Sequence, residues 1–197
     1  MTVPEPVWGL VLAGGQSRRM GSDKASLTLN GETQLERAVH LISAHLDRVF
    51  VSTSREQADD PLRQRFDQIV DGYQKLGPIA GILSAMDEYP EVSWLVLACD
   101  LPNIDDATIA CLLDQVSPAH EATAFRSVHD DLPEPLCAIY RPESRVIIDR
   151  FIQDGTNCPR KILINARTHL LQQPNPGALH NVNSPEDLLG TGIERSQ

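Results

Sequence analysis

The sequence lacks the features that mark membrane-spanning and secreted chains. It has no apolar stretch that approaches the ~18 residues needed to cross a bilayer. Its N-terminus has no basic segment followed by an apolar one, so we expect no signal peptide. Only four cysteines occur among 197 residues, and none of them form a C-x-x-C pair. Buried, reduced thiols are therefore expected, which fits a cytoplasmic protein.

Positive charge is also scarce. The chain has 17 lysines and arginines against 27 aspartates and glutamates, a net charge of −10. Nucleic acids and anionic membrane surfaces are bound through cationic contacts, so neither is expected as a partner. Net charge says little about a single cleft, and the favoured ligand is a small anion in a local basic patch. The length suits one domain with a proper core.

Two familiar phosphate-binding motifs and the common catalytic sets are missing. A Walker A loop needs Gly-Lys followed by Ser or Thr, but Lys24 follows Asp23. The dinucleotide fingerprint G-x-G-x-x-G cannot be drawn from the glycines between residues 14 and 21. The six histidines show no metal-ligand spacing, and no Ser-His-Asp or Cys-His set can be argued.

The stretch from Leu12 to Lys24 carries the strongest signal. An apolar run before it predicts a buried strand that ends at the pair Gly14 and Gly15. Adjacent glycines let a ligand approach the backbone, and successive N–H groups can bind an anion. Three cations in the stretch would suit a triphosphate: Arg18, Arg19 and Lys24. The alternative is a solvated basic turn.

Strands and helices alternate through the first half of the chain. Strands are predicted at residues 7–12, 49–51, 69–70, 94–98, 122–126 and 136–140. Helices are predicted after a capping box at Thr33, after Pro78, at 105–116, from Pro142, at 160–166 and after Ser184, with a weaker helical segment at about 61–66. This order implies a mostly parallel sheet with helices on both faces. Ligands of such sheets bind beyond the carboxyl ends of the strands.

Two aspartates fall at such strand ends. Asp100 follows the apolar strand 94–98, and its hard oxygens suit Mg²⁺. Asp71 follows the strand at 69–70. Each also has a simpler interpretation, Asp100 as a turn or cap residue and Asp71 as an Asx turn with Gly72. The loop after Leu12 follows a third strand, so this loop, Asp71 and Asp100 together predict one site at the carboxyl ends of the strands.

The pattern L-A-G-G-x-S-x-R-M-G-x-D-K at residues 12–24 resembles the signature loop of nucleotidyltransferases of the molybdenum cofactor guanylyltransferase (MobA) family. Three further segments resemble family motifs. Residues 77–81 are similar to a G-P-L-A-G loop, residues 98–102 contain the C-D-x-P context, and residues 181–187 are similar to a closing N-V-N-T-P-E-E segment. Ser52 or Thr53 stands where some members have Asn, and either hydroxyl can still hydrogen-bond.

The resemblance implies roles for individual residues. It implies a catalytic set of Arg19, Lys24 and Asp100. It implies nucleotide contacts from Leu12, Ala13, Gly14, Gly15, Lys24, Asp71 and Asp100. It implies that Asp100 binds Mg²⁺, and Asn183 could add a neutral oxygen ligand unless it only shapes the turn before a helix. Arg160 and Lys161 could meet the phosphate of an acceptor, or they could simply be solvated.

The resemblance also implies a fold and a reaction. The fold is an α/β, Rossmann-like three-layer αβα sandwich of the nucleotide-diphospho-sugar transferase type. One nucleotidyltransferase domain would span residues 1–197, with a nucleotide-binding half to about residue 103 and an acceptor-binding half from 104 to about 191. The reaction would transfer GMP from GTP to the phosphate of the molybdenum-bound pterin and release pyrophosphate. Transient contact with cofactor-biosynthesis proteins or molybdoenzymes is left open.

Two alternatives stay open at this point. A cytidylyl- or sugar-nucleotidyltransferase could use the same frame with another nucleotide. A nucleotide-binding partner protein that has lost catalysis could keep the loop, although the presence of Arg19, Lys24 and Asp100 speaks against it.

Overall fold

The computed structural model describes residues 5–14 and 23–180, and the backbone of a short strand near the C-terminus. In these parts of the chain the strands are β1 (Val7–Leu12), β2 (Thr28–Leu29), β3 (Glu32–Thr33), β4 (Val49–Thr53), β5 (Gln68–Val70), β6 (Ser93–Ala98), β7 (Ala122–Arg126), β8 (Pro133–Tyr140), β9 (Thr168–Leu171) and β10 (Ile193–Glu194). The α-helices described are α1 (Gln34–Ser43), α2 (Pro78–Glu88), α3 (Asp106–Asp114), α4 (Ser144–Gln153) and α5 (Pro159–Asn165). None of these helices is long and apolar enough to cross a membrane.

Seven strands form one sheet in the order β5-β4-β1-β6-β8-β7-β9. The pairs on the β5 side are parallel, as is the pair β7-β9, whereas β8 runs antiparallel to both of its neighbours. Parallel neighbours cannot be joined by a tight turn, so α1 and α2 serve as crossovers in this half of the sheet. The prediction of a mostly parallel sheet is therefore confirmed. Strands β2, β3 and β10 form a separate small sheet.

Helices cover both faces of the large sheet. Successive side chains of a strand point to opposite faces, so Leu10 of β1 enters one core and Val11 the other. The core with Val11 is shared with α1 and α3, and the core with Leu10 is shared with α2, α4 and α5. Every residue of β6 is buried, as its unbroken apolar run predicts. The three-layer αβα sandwich is thereby confirmed.

The start of α1 follows from the sequence. Thr33 Oγ1 accepts from Glu36 N–H at 3.1 Å, and Glu36 Oε2 accepts from Thr33 N–H at 2.9 Å, which completes the predicted capping box. Two backbone donors that the helix leaves unpaired are satisfied in this way. The helix then packs against β1 and β4, the strands whose ends carry part of the site.

The structure departs from the sequence predictions at several elements. The weak helix expected at 61–66 is a single 3₁₀ turn at Arg63–Arg65. The helix expected from Pro142 begins at Ser144, and β8 begins three residues before the predicted strand, at Pro133. Strand β9 was not predicted, and the expected helix after Ser184 lies outside the described residues.

Candidate active site

A cavity of about 580 Å³ opens at the carboxyl ends of β1, β4, β5 and β6. Its wall includes Gly14 after β1, Ser52 at the end of β4, Asp71 after β5 and Asp100 after β6. The three strand-end features that the sequence places in one site therefore do share one cavity. Leu12, Ala13 and Lys24 line it as well.

Lys24 and Asp100 form an ion pair at one end of this cavity. Lys24 Nζ lies 2.8 Å from Asp100 Oδ2, and each side chain is 19% exposed. Lys24 begins a 3₁₀ turn that Asp23 caps, since Asp23 Oδ1 accepts from Ala25 N–H at 3.1 Å. Asp100 lies two residues after the end of the buried strand β6. A cation and a carboxylate are thus both held on ordered backbone at the cavity wall.

The second oxygen of Asp100 has no hydrogen-bond partner among the described residues. Asp100 Oδ1 is buried and makes no hydrogen bond within the part of the chain that the structure describes. Native proteins rarely bury a polar atom unpaired, so such an atom at a cavity wall indicates a ligand. A hard carboxylate oxygen suits Mg²⁺, which takes one or two carboxylates and completes its shell with substrate phosphates and water.

The remaining metal ligands would have to come from elsewhere. Among the described residues no group of three or more His, Cys, Asp and Glu side chains could hold a metal ion. Asp100 alone therefore fits an ion that is held largely by the substrate. The other ligand implied by the resemblance, Asn183, lies outside the described residues, as do Gly15 and the catalytic candidate Arg19.

Asp71 sits in a more enclosed part of the same cavity. Ser52 Oγ donates a 2.9 Å hydrogen bond to Asp71 Oδ1, so the hydroxyl at this strand end does hydrogen-bond within the cavity wall. Burial raises the pKa of the Asp71 carboxyl, and the hydrogen bond from Ser52 only partly opposes this. The charged form of Asp71 is thus poorly solvated unless a ligand donates a hydrogen bond to it.

Two glycines let the chain segments around Asp71 approach closely. A Cβ on Gly81 in α2 would overlap Ser52 Oγ and lie 3.0 Å from Leu12 Cδ2. A Cβ on Gly14 would lie 3.2 Å from the Ser54 backbone nitrogen and 3.5 Å from Asp71 Oδ2. Gly81 therefore permits close packing of α2 on β1 and β4, a helix-to-sheet role that the sequence analysis did not foresee for it.

The loop between Asp71 and α2 also forms part of the cavity wall. Tyr73, Gln74 and Lys75 line it, and none of them was singled out from the sequence. Tyr73 donates its hydroxyl to Asp87 Oδ2 at 2.5 Å, which ties the loop to α2. Lys75 has a φ of +62°, and its carbonyl accepts from Asn157 Nδ2 at 3.1 Å. The loop is therefore anchored on two sides.

Arg63 is the largest feature of the site that sequence reasoning missed. Its side chain is 1% exposed, and it contacts the Ala13 carbonyl, Asp23 and Asp60. Burial by itself lowers the pKa of Arg63, but the hydrogen bonds and charges of the two aspartates outweigh it and the net pKa is raised. The guanidinium is thus charged in the core beside the cavity. Its partner Ala13 is 50 residues away, so no local pattern points to this contact.

The candidate acceptor residues lie apart from the cavity. Arg160 pairs with Asp130 at 3.0 Å and with Glu134 at 2.9 Å. Neither Arg160 nor Lys161 belongs to the cavity wall, which among the described residues takes Leu136 from this half of the chain. The structure therefore does not bring this basic pair together with Lys24 and Asp100.

Asp71→Asn should stabilise the protein at neutral pH and weaken nucleotide binding. A carboxyl with a raised folded pKa keeps its proton to higher pH than the unfolded chain does, so stability is lost as pH rises from the ordinary value of 3.8 through the folded pKa. Asparagine keeps the acceptor for Ser52 without this loss. We expect Asp71→Asn to have a higher Tm than wild type at pH 7, and this difference in Tm should shrink towards pH 4. The affinity for GTP should fall by about tenfold, as expected when a charge-assisted hydrogen bond is lost.

Melting curves between pH 4 and pH 8, together with calorimetric titration of GTP, measure both effects. Asp59→Asn at an exposed position serves as the control for loss of one negative charge. An unchanged GTP affinity in Asp71→Asn would contradict a nucleotide contact by this carboxylate.

The matching family model and the relatives in sequence indicate one family. The model of the MobA-like NTP transferase domain matches residues 9–172. The chain is 35% identical over 182 residues to a molybdenum cofactor biosynthesis bifunctional protein of Synechocystis sp., covering 92% of this chain and 52% of that protein. It is 32% identical over 182 residues to a probable molybdenum cofactor guanylyltransferase of Nostoc sp., covering 91% and 87%. The chain thus spans about half the length of the Synechocystis relative and most of the Nostoc one.

Solved structures show the same fold. Molybdopterin-guanine dinucleotide biosynthesis protein A from Archaeoglobus fulgidus superposes with a TM-score of 0.78 at 24% identity, covering 93% of this chain and 96% of that one. A nucleotidyl transferase from Methanothermobacter thermautotroptrophicus gives a TM-score of 0.75 at 17% identity, covering 93% and 94%. At these identities the likeness establishes the fold alone.

Proposed function

We propose a function that follows from the family, since this chain belongs to the MobA-like NTP transferase family. In this proposal, it transfers GMP from GTP to the phosphate of the molybdenum-bound pterin cofactor and releases pyrophosphate. The observation that carries the proposal is the Lys24–Asp100 pair at the cavity wall, with one carboxylate oxygen of Asp100 buried and unpaired among the described residues. The relatives named guanylyltransferases support GTP as the donor and the pterin as the acceptor. Cytoplasmic location is part of the same proposal.

The reaction needs little acid–base chemistry from the protein. An oxygen of the acceptor phosphate attacks the α-phosphorus of GTP in line, the new P–O bond forms, and the bond to the β-phosphate oxygen breaks. The attacking oxygen is already anionic, and pyrophosphate leaves as an anion. Catalysis is therefore a matter of positioning the two phosphates and neutralising their charge.

Lys24 and Asp100 would each contribute to neutralising the negative charge of the phosphates. Lys24 provides a point charge for the triphosphate, with its ammonium held in reach of the cavity by the capped turn. Nucleotidyltransferases generally use a divalent metal, and we propose that Asp100 holds Mg²⁺ through Oδ1, the oxygen with no partner among the described residues. When bound, this ion supplies positive charge against phosphate oxygens. Arg19 and the Gly14–Gly15 amides complete the proposed set.

The strand order supports one direction for the nucleotide in the cavity. Asp100 follows β6 and Gly14 follows β1, whereas Asp71 follows β5, two strands beyond β1. With the phosphates at Lys24 and Asp100, the nucleoside would extend towards Asp71 and the loop before α2. Asp71 then accepts hydrogen bonds from nucleoside hydroxyl or N–H groups. We propose that the first half of a single domain binds GTP and the second half binds the acceptor.

GTP should stabilise the protein more than ATP, CTP or UTP in the presence of Mg²⁺. A ligand at about a hundred times its Kd stabilises the folded state by about 2.7 kcal/mol, which for a chain of this size corresponds to about 5–10 °C in Tm. Thermal-shift measurements with the four nucleotides test this preference. A larger shift with CTP would assign the chain to a cytidylyl transfer instead. Release of pyrophosphate when the pterin acceptor is added separates an enzyme from a binding protein.

A further inference from the structure

We propose that Arg63 is a positioning residue that fixes both ends of the glycine-bearing loop, at Ala13 and at Asp23, and so sets the geometry of the phosphate site. The inference rests on the proposed function, since it assigns Arg63 to the same site. Arg63 does not line the cavity; it lies behind the wall and acts through the residues it holds.

The first end of the loop is fixed through a carbonyl. Arg63 Nε and Nη2 both donate to the Ala13 carbonyl oxygen, at 3.2 and 2.6 Å. The Ala13 carbonyl and the Gly14 N–H belong to one planar trans peptide group, so they point in opposite directions. By holding the carbonyl, Arg63 fixes the direction of the Gly14 N–H, and Gly14 is part of the cavity wall. The guanidinium thus orients a backbone donor at the proposed phosphate site.

The second end is fixed through a carboxylate. Arg63 Nη1 lies 2.7 Å from Asp23 Oδ2, while Asp23 Oδ1 caps the turn that begins at Lys24. Asp23 therefore has one oxygen on Arg63 and the other on the turn that carries the triphosphate lysine. A displaced Asp23 would displace Lys24 relative to Asp100, and a misplacement of about 1 Å can cost about a hundredfold in rate.

Arginine is suited to this position in a way that lysine is not. A planar guanidinium offers five N–H donors in a rigid fork, so one side chain can reach Ala13, Asp23 and Asp60 at once. Lysine carries one ammonium on a flexible stem. The nearly complete burial of Arg63 gives its contacts strength, because exposed pairs are screened by water.

The chain supplies a matched pair of substitutions for the test. Asp23→Asn and Asp60→Asn each remove one negative charge from Arg63 Nη1, and the two side chains are 32% and 38% exposed. Each aspartate also accepts from a backbone N–H through Oδ1, a contact that asparagine can keep. Only Asp23 belongs to the loop. Asp60 contacts Arg63 Nη1 through the same Oδ1, so asparagine at position 60 loses only the charge, whereas asparagine at position 23 also loses the Oδ2 contact. Loss of Tm should therefore be at least as large in Asp23→Asn as in Asp60→Asn, and the kinetics should separate the two variants.

We expect kcat for GMP transfer to fall by about tenfold in Asp23→Asn and to stay within about twofold of wild type in Asp60→Asn. Arg63→Lys, assayed well below its Tm, should show at least the loss seen in Asp23→Asn. In a Lys24→Ala background, Asp23→Asn should add less than about twofold, because it acts through Lys24. Equal kinetic losses in the two aspartate variants, or wild-type kinetics in Arg63→Lys, would overturn the proposal.

Amide hydrogen exchange without nucleotide provides a readout that does not depend on catalysis. The Ala25 and Ser26 N–H groups, which donate to Asp23, should exchange faster in Asp23→Asn and in Arg63→Lys than in wild type, and should be unchanged in Asp60→Asn. Unchanged exchange at both amides in Arg63→Lys would show that Arg63 does not hold the loop. If the wild-type protein and the variants show the expected exchange but wild type transfers no GMP, the proposed function fails and the positioning role of Arg63 stands.

Discussion

Lys24→Ala should lower kcat/KM for GMP transfer by about tenfold or more. Charge-assisted contacts are worth ~1.5–3 kcal/mol, and each 1.36 kcal/mol of lost transition-state stabilisation is about tenfold in rate. The loss should appear mainly as a higher KM for GTP if Lys24 holds the triphosphate equally before and during the reaction, and mainly in kcat if its contact strengthens as pyrophosphate leaves. Steady-state kinetics at saturating acceptor distinguish the two.

Two controls separate charge neutralisation from a structural role of Lys24. Lys24→Ala removes the counter-charge of the partly buried Asp100, so the Tm of this variant will also fall. The fall should be about 2–4 °C for each kcal/mol of unfolding free energy that is lost. Lys24→Arg retains the positive charge and should recover much of the Tm but less of the activity, because a planar fork replaces a point charge. Unchanged kinetics in Lys24→Ala would show that Lys24 is only a solvated loop residue with a carboxylate neighbour.

Much of the sheet could be predicted because its signals are local. The apolar runs of β1 and β6 indicate buried strands, and the capping box at Thr33 marks the start of α1. Strand β9 could not be predicted in this way. Four residues with little alternation become a strand because β7 provides a parallel partner more than 40 residues away, with Ala122 opposite Thr168. Local propensity cannot encode such a pairing.

The same distinction applies to the site. The rule that ligands bind beyond the carboxyl ends of parallel strands is enough to predict from the sequence that Asp71 and Asp100 share one site, and both line the cavity. The residues that hold this cavity wall in place could not be predicted from the sequence, because their roles depend on contacts between distant segments. Arg63 can be buried because Ala13, Asp23 and Asp60 accept its hydrogen bonds. Gly81 is required because Ser52 and Leu12 lie where a Cβ would be.

Asp100→Asn should reduce GMP transfer by on the order of a hundredfold while the protein remains folded, a loss typical of removing one preorganised electrostatic contact to a transition state. Asparagine keeps the shape of aspartate and forms the same Asx turns, so a mere turn former at residue 100 would tolerate the change. It has no negative charge, so it is a poor ligand for Mg²⁺ and no counter-charge for Lys24. The Tm should fall by a few degrees, since the Lys24–Asp100 ion pair is lost.

Transfer activity, Tm and the dependence of rate on Mg²⁺ concentration should be measured on one sample of Asp100→Asn. If Asp100 holds the ion, the variant will need more Mg²⁺ to reach half of its maximal rate, and that maximum will stay below wild type. Asp106→Asn is the matched control, because it removes an exposed carboxylate that pairs with His45, and its Mg²⁺ dependence should equal that of wild type. Normal transfer by Asp100→Asn at ordinary Mg²⁺ would eliminate the metal-ligand role. A lower rate with an unchanged Mg²⁺ dependence would instead assign Asp100 to holding Lys24, because the ion pair at 2.8 Å is then the contact that matters.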